Sequence, residues 1–397
     1  MSHNAFTALL GAGGLDALAK HWAATPMLVK SAFDTSAPPI DLSEVERTLV
    51  GPGFLARANV QLRTGNPPTA QAPGSLGDLY DAFAAGGSIQ LVDCEDWLSP
   101  VHPVMDIVND AQRALEHPIQ TVSMFLTPPN AQALPAHHDQ IEIITLQISG
   151  EKRWETFAPT PPDLLPSGER SPEELGPVKE VFTLQPGDLF YIPRGVPHRV
   201  VSNDEVSLSL AISFQSFAFS SMTNLIYEKA VRDADLSRSF PVKPRTALSD
   251  ADIEAMIGRL HAMVDQLTPA DVRAMLYASE MNLPVPPHGS VLEGVSDAAD
   301  VSPDDSIVRR PGAHMVVGVF DDKCCLSASA FGTFNVPAKA REALEGMLAA
   351  DTPVRIADLP GPLSPQSKAT LARRFIKAGL FERVRCAPVA DQPRSAA

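Results

Sequence analysis

The sequence predicts an α+β chain whose centre, from about residue 120 to 220, is a β barrel of short buried strands. Three observations carry that prediction. Ile141 to Ile148 is a nearly continuous apolar run, as expected of a strand buried on most of its surface. Leu189-Phe190-Tyr191-Ile192 is a second apolar run, bracketed by the turn signals Pro186-Gly187-Asp188 and Pro193-Arg194-Gly195-Val196-Pro197. His198 then opens strand-like sequence to Phe214, interrupted near Ser202-Asn203-Asp204-Glu205.

Ahead of the barrel, residues 1 to about 120 mix helices and short strands. Leu15 to Ala23, Leu42 to Thr48, Leu76 to Ala85 and Met105 to Leu115 carry helical patterning. Proline-rich punctuation between them suggests a cap packed around the barrel. In Thr121 to Thr127, the residues Ser123, Phe125 and Thr127 share one strand face. Pro159 to Gly176 is rich in Pro, Ser and Glu and reads as a loop insertion that could form part of a rim. On the last strand Ser207, Ser209, Ala211 and Ser213 share a face, which lines either a cavity or the solvent.

Beyond Pro244 the pattern turns helical. Ser249 is a good N-cap, and Asp250 and Asp252 in the first turn favour the helix dipole. Ile253, Met256, Ile257, Leu260, Met263, Val264 and Leu267 then form an apolar stripe at helical spacing. Thr268-Pro269 starts another helix, with Val272, Met275, Leu276 and Ser279 on it. Gly289 to Ser306 is an acidic linker. A small mixed domain follows: strands at 307–310, 315–320 and 324–331, then helices at 338–350 and 365–378, stopped by Gly379.

Two histidines and one aspartate fall at the edges of these strands. His137 and Asp139 sit in Pro135-Ala136-His137-His138-Asp139-Gln140, and His198 closes the second turn signal. Alternate residues of a strand point to one face, so His137 and Asp139 can reach one metal together, leaving His138 to packing or rim contacts. Two imidazoles and a carboxylate in this pattern form the ligand set of a mononuclear non-haem Fe(II) site. They occupy one face of the octahedron and leave the other open.

Leu126-Thr127-Pro128-Pro129-Asn130-Ala131-Gln132, then His137-His138-Asp139, then Leu146 to Trp154 (Leu-Gln-Ile-Ser-Gly-Glu-Lys-Arg-Trp) resemble the JmjC-type ribosomal oxygenases. The clearest resemblance runs from about 120 to 215, with a weaker one around Leu15 to Lys30. It implies a double-stranded β-helix (cupin/JmjC jelly roll) and a hydroxylase that uses Fe(II) and the co-substrate 2-oxoglutarate. The substrate it implies is an amino-acid side chain in a protein or peptide, with ribosomal Arg or His as family precedent. Metal ligands would be His137, Asp139 and His198. Lys152 would clamp the distal carboxylate of 2-oxoglutarate, with Ser123 and Ser209 as further co-substrate contacts. The family often has Tyr where this chain has Phe125, which removes one hydroxyl from that set. A helical dimerisation region at 245–288 and a winged-helix-like domain at 305–386, behind a catalytic domain at 1–240, complete the implied organisation, and a homodimer is expected. Two other readings use the same residues: a hydroxylase of a small molecule or peptide natural product, and a metal-binding cupin without enzymatic activity.

Composition bounds the remainder. A chain of 397 residues exceeds one ordinary core. No apolar run approaches a membrane span, and the first residues lack a basic stretch followed by an apolar one. Cys94, Cys324, Cys325 and Cys386 have neither disulfide nor zinc spacing, so reduced thiols and a cytoplasmic location are expected. A net charge of −15 argues against nucleic-acid binding, which needs clustered Lys and Arg, and is compatible with a basic protein segment as partner.

Overall fold

The structure is a computed structural model describing residues 4–99, 102–158, 168–169, 174–215, 219–243, 247–269, 271–272, 295–310, 315–320, 323–328, 332–350 and 352–384. It divides into two compact units, Met1–Ser216 and Phe217–Ala397. Met275, Leu276, Ser279, Cys386 and the start of the linker at Gly289 lie outside the described residues.

The strands of the first unit are, in chain order, β1 (Met27–Val29), β2 (Asn59–Thr64), β3 (Thr69–Gln71), β4 (Ser88–Val92), β5 (Ile119–Thr127), β6 (His137–His138) and β7 (Glu142–Ser149). They continue with β8 (Lys152–Phe157), β9 (Gly168–Glu169), β10 (Val178–Leu184), β11 (Leu189–Ile192), β12 (His198–Ser202) and β13 (Ser207–Phe214). Two antiparallel sheets result, one in the order β1-β11-β7-β13-β5-β4-β2-β3, the other β10-β8-β12-β6-β9. This is the double-stranded β-helix expected. The alternation along β13 decides its faces. Leu208, Leu210 and Ile212 enter the hydrophobic core, while Ser209, Ala211 and Ser213 line a cavity. Ser207 departs from that row: a register shift next to Leu208 leaves its hydroxyl accepting from Gln147 Nε2 at 2.8 Å.

The larger sheet carries strands the sequence left unassigned. β2, β3 and β4 extend it on one side and β1 on the other. The four helices expected ahead of the barrel are present as Gly14–His21, Leu42–Leu49, Leu76–Ala84 and Pro103–Leu115. Their apolar faces join one core with the sheet, through residues such as Leu18, Val45, Leu79 and Val108. Asp41 and Ser75 accept from the backbone N–H groups of Glu44 and Asp78, capping two of these helices. The insertion at Pro159 to Gly176 is not all loop. β9 lies within it and pairs with β6, setting Glu169 opposite His137.

In the second unit Ser249 is the N-cap expected, and it forms a capping box with Asp252. The Ser249 hydroxyl accepts from Asp252 N–H at 3.2 Å, and Asp252 accepts from Ser249 N–H at 3.0 Å. The helix it opens, Asp250–Asp265, buries none of its residues, and Ile253, Ile257, Leu260 and Val264 are exposed. Further on lie β14 (Ser306–Arg309), β15 (Met315–Phe320), β16 (Lys323–Ala328), β17 (Gly332–Pro337), β18 (Val354–Arg355) and β19 (Phe381–Val384). They form the three-stranded sheets β18-β14-β19 and β15-β16-β17. Helices Arg341–Leu348 and Pro365–Lys377 pack there around Leu344, Phe375 and Phe381. No described helix is long and apolar enough to cross a membrane.

The β7–β8 turn positions the site, and Gly150 makes it possible. Its φ is +62°, and an added Cβ would collide with the Val206 carbonyl and lie 2.8 Å from Ser207 Cα. A left-handed conformation and a backbone clash each penalise any side chain here. Gly150→Ala should therefore lower stability by roughly 2–4 kcal/mol. Denaturant unfolding of the two proteins checks this, and an unchanged midpoint would contradict the turn geometry.

Candidate metal centre

His137, Asp139 and His198 converge at one end of a cavity of about 230 Å³ between the two sheets. Pairing brings them there. His198 on β12 stands opposite His137 on β6 and opposite Thr156 on β8. Asp139 follows β6 by one residue, and its backbone carbonyl accepts from Gly195 N–H at 2.7 Å. That bond ties the Pro193-to-Pro197 turn, which delivers His198, directly to the segment that delivers Asp139. His138 is buried but does not line the cavity, as its place on the strand implies.

The hydrogen bonds fix which atoms face inward. His137 Nδ1–H donates to the Pro135 carbonyl at 2.7 Å, and His198 Nδ1–H to the Val196 carbonyl at 3.1 Å. Each ring therefore turns the lone pair of Nε2 into the site. The Asp139 Oδ2 atom is 3.5 Å from His137 Nε2 and 3.8 Å from His198 Nε2. It is buried and has no hydrogen-bond partner among the described residues. Three electron-pair donors thus face one another with no proton donor between them. Adjacent donors on one octahedral face lie ~3 Å apart around a divalent transition metal. The residues present fit an iron ion with small side-chain adjustments.

Electrostatics describe the same need. Burial opposes protonation of both rings. For His198 burial wins, aided by the neighbouring His137, and pushes it down to about 4. For His137 burial is outweighed by the negative Asp139 carboxylate close by, so the ring is raised. Asp139 is in turn lowered, because the histidines outweigh its burial. Trp154 stacks on His198 with centroids 5.4 Å apart and planes 21° from parallel, holding that ring in place.

Lys152 lies toward the other end. It starts β8, four positions before Thr156, so about 13 Å of strand separates its level from that of His198. Lys152 is buried, and its Nζ donates to Ser209 Oγ at 2.8 Å and lies 5.5 Å from the Phe125 ring centroid. No carboxylate pairs with it among the described residues, and desolvation lowers it to about 7. Ser123, Phe125, Thr127 and Ser209 line the same cavity, so the serine row faces inward. Gln90, Val92 and Thr121 line it as well. The sequence singled out none of these three, since only the pairing of β4 with β5 brings the first two beside the cavity. Trp154 stood in the motif without a role, and its stacking on His198 depends on tertiary packing.

Residues 104–222 match the JmjC domain. The chain is 28% identical over 231 residues to the bifunctional lysine-specific demethylase and histidyl-hydroxylase NO66 of Aedes aegypti, covering 53% of this chain and 35% of that protein. It is 30% identical over 153 residues to ribosomal oxygenase 2 of Bos taurus, covering 36% and 32%. The chain thus spans about a third of the length of these relatives. Among solved structures it resembles Escherichia coli ycfD with a TM-score of 0.60 at 16% identity, covering 93% of this chain and 97% of that one. The Escherichia coli ribosomal oxygenase YcfD in complex with cobalt and 2-oxoglutarate matches at a TM-score of 0.58 and 15% identity, covering 94% and 98%. These structural likenesses establish the fold.

Removing either imidazole leaves two donors, too few to hold a divalent ion tightly. His137→Ala and His198→Ala should each weaken Mn(II) or Fe(II) binding at least about 100-fold while circular dichroism stays unchanged. Anaerobic titration calorimetry measures this, and wild-type affinity in either variant would contradict the ligand assignment.

Proposed function

We propose that this chain, a JmjC-domain protein of the ribosomal-oxygenase type, is a 2-oxoglutarate- and Fe(II)-dependent oxygenase that hydroxylates an amino-acid side chain in a protein or peptide. The observation that carries the reading is one cavity with a cluster of three candidate metal donors at one end and, at the other, a buried lysine that no carboxylate pairs with among the described residues. A five-carbon dicarboxylate matches both: its oxo-acid end offers two oxygens to a metal, and its far carboxylate offers a partner to Lys152.

His137 and His198 would hold iron through Nε2 and Asp139 through a carboxylate oxygen. With 2-oxoglutarate and dioxygen, the bound iron supplies the oxidising chemistry that inserts oxygen into a C–H bond, leaving succinate and carbon dioxide. The protein's part is positional. Lys152 clamps the distal carboxylate, Ser209 orients the ammonium, and Ser123 adds a hydroxyl on the neighbouring strand. Phe125 supplies a ring face to the cation where the family often has a tyrosine. Ile143, Trp154 and Val200 line the cavity with apolar surface, which excludes water and strengthens each polar contact. Relatives include ribosomal oxygenases and histidyl-hydroxylases, so ribosomal proteins are the first substrates to test.

The second unit would serve assembly. The exposed stripe Ile253, Ile257, Leu260 and Val264 supports the dimerisation role expected of 245–288, in a cytoplasmic homodimer. We assign 305–386 a winged-helix-like packing role rather than nucleic-acid binding, in keeping with the net charge of −15.

The test of the reading is Lys152. Loss of a charge-assisted hydrogen bond costs roughly 1.5–3 kcal/mol, so Lys152→Ala should raise the half-saturating 2-oxoglutarate concentration about 10- to 100-fold in a succinate-release assay. Metal affinity should hold, and Lys152→Arg should retain more activity than Ala. Because burial lowers the free lysine to about 7, binding the dianion takes up a proton above that pH. Affinity should therefore fall as pH rises past 7, by up to about tenfold per unit, and Lys152→Ala should lose that slope. Unchanged half-saturation in Lys152→Ala, or no 2-oxoglutarate turnover by the wild type, would overturn the proposal. For the assembly, light scattering at micromolar concentration should give twice the 42.4 kDa chain mass, and Ile257→Asp should shift it toward the monomer. A monomer for the wild type would remove the dimer.

A further inference from the structure

We infer that Gln147 is a positioning residue. Its amide holds the Ser149-Gly150 turn against the start of β13, and so sets the Lys152–Ser209 contact at a spacing that can receive a distal carboxylate. The inference rests on the 2-oxoglutarate reading and extends it to a side chain that does not line the cavity.

Lys152 and Ser209 belong to different sheets, Lys152 to β8 of the smaller and Ser209 to β13 of the larger. No backbone ladder runs between them. Their bond of 2.8 Å depends on how the two sheets are held together at this end. The ladder that places Ser209 is itself irregular here. Ser209 stands opposite Gln147 on β7 and Leu208 opposite Ser149, which leaves Ile148 over as a bulge. The β7–β8 turn that leads to Lys152 begins at the same point.

Gln147 sits at this junction. Ile143 and Thr145 line the cavity, and Gln147 is next in their row and fully buried. Its Nε2 donates to Ser207 Oγ at 2.8 Å, to the Gly150 carbonyl at 2.9 Å and to the Ser149 carbonyl at 3.0 Å. The Leu208 carbonyl is within reach at 3.4 Å. Carbonyls only accept, so the nitrogen must be the atom that faces them. One amide thus joins the turn before Lys152 to the two residues before Ser209. The Gln147 backbone is tied on its other side. Its N–H donates to the Asp188 carbonyl at 3.0 Å, and its carbonyl accepts from Gly187 N–H at 2.9 Å. Asn203 N–H also holds the Glu151 carbonyl at 3.0 Å, but from the turn ahead of β13. Gln147 reaches β13 itself.

The arrangement has a cost. Gln147 Oε1 is buried and accepts no hydrogen bond among the described residues, an unfavourable state for a carbonyl that an apolar residue would avoid. What the amide contributes in return is the tie. Without its Nε2, the turn and β13 lose their shared donor, and Lys152 and Ser209 can part. A charge-assisted bond to a carboxylate depends on that geometry.

The experiment titrates 2-oxoglutarate into the full chain loaded with Mn(II) and follows the heat of binding. Gln147→Met keeps the length of the side chain and removes the donor. It should weaken 2-oxoglutarate about tenfold and leave Mn(II) affinity within about twofold. Added to Lys152→Ala, it should cost no more than about a further twofold, because a residue that acts through Lys152 then has nothing to act through. Ser207→Ala removes one acceptor only and should weaken 2-oxoglutarate about threefold. If Gln147→Met does not fold, Ser207→Ala decides alone. Wild-type 2-oxoglutarate affinity in Gln147→Met, or in Ser207→Ala where it decides alone, overturns the inference. So does an equal loss of 2-oxoglutarate and Mn(II) affinity, the mark of general loosening, or an undiminished loss in the Lys152→Ala background. If the Mn(II)-loaded wild type binds no 2-oxoglutarate, the hydroxylase reading fails and this inference with it. If Lys152→Ala weakens binding and Gln147→Met does not, only the Gln147 assignment falls.

Discussion

The candidate site depends on one strand register: His198 of β12 opposite His137 of β6 and Thr156 of β8. Side chains alternate along a strand, so a slip of one residue would turn His198 out of the cavity and carry Val200 and Ser202 with it. The elements that enforce the register are short and local. β6 has two residues, held between β12 and β9. The Gly195 N–H bond to the Asp139 carbonyl then joins the two motif turns. Both imidazoles take their orientation from carbonyls two residues upstream, so backbone conformation alone selects the Nε2 lone pairs that converge.

That convergence costs stability unless a cation fills it, and the buried Lys152 poses the opposite problem at the far end. A buried charge is tolerated when paired and otherwise shifts its proton equilibrium. Here both ends are shifted: Asp139 is held ionised by its histidines, and Lys152 is brought down to about 7 by desolvation. The proposed metal and dicarboxylate would relieve both imbalances at once, and stability given up in the empty fold would become binding energy in the loaded one, as at other preorganised sites.

Much of this was legible in the sequence because it lies in local pattern. The apolar runs of β7 and β11, and the Gly/Pro turns on either side of β11, locate the barrel. The His-x-Asp before β7 and the Pro-His after β11 mark the candidate metal residues, and Lys152 was singled out through the resemblance to the JmjC-type ribosomal oxygenases. What the sequence did not reveal depends on pairing between distant strands. The serine row of β13 could face either way until its register with β5 placed Ser209 beside Lys152. Gln90 is a single glutamine in an unremarked strand, and only the pairing of β4 with β5 places it beside the cavity. β9 sits inside a stretch whose Pro, Ser and Glu content reads as loop, and two residues are too few to signal a strand.

The central claim is that one cavity binds iron and 2-oxoglutarate together. An anaerobic titration of Fe(II)-loaded protein with 2-oxoglutarate tests it directly, because a 2-oxo acid chelated to Fe(II) absorbs visible light and a carboxylate bound elsewhere does not. The account predicts a band that saturates at one 2-oxoglutarate per chain and is absent with succinate. No band, with iron bound and 2-oxoglutarate in excess, would contradict it.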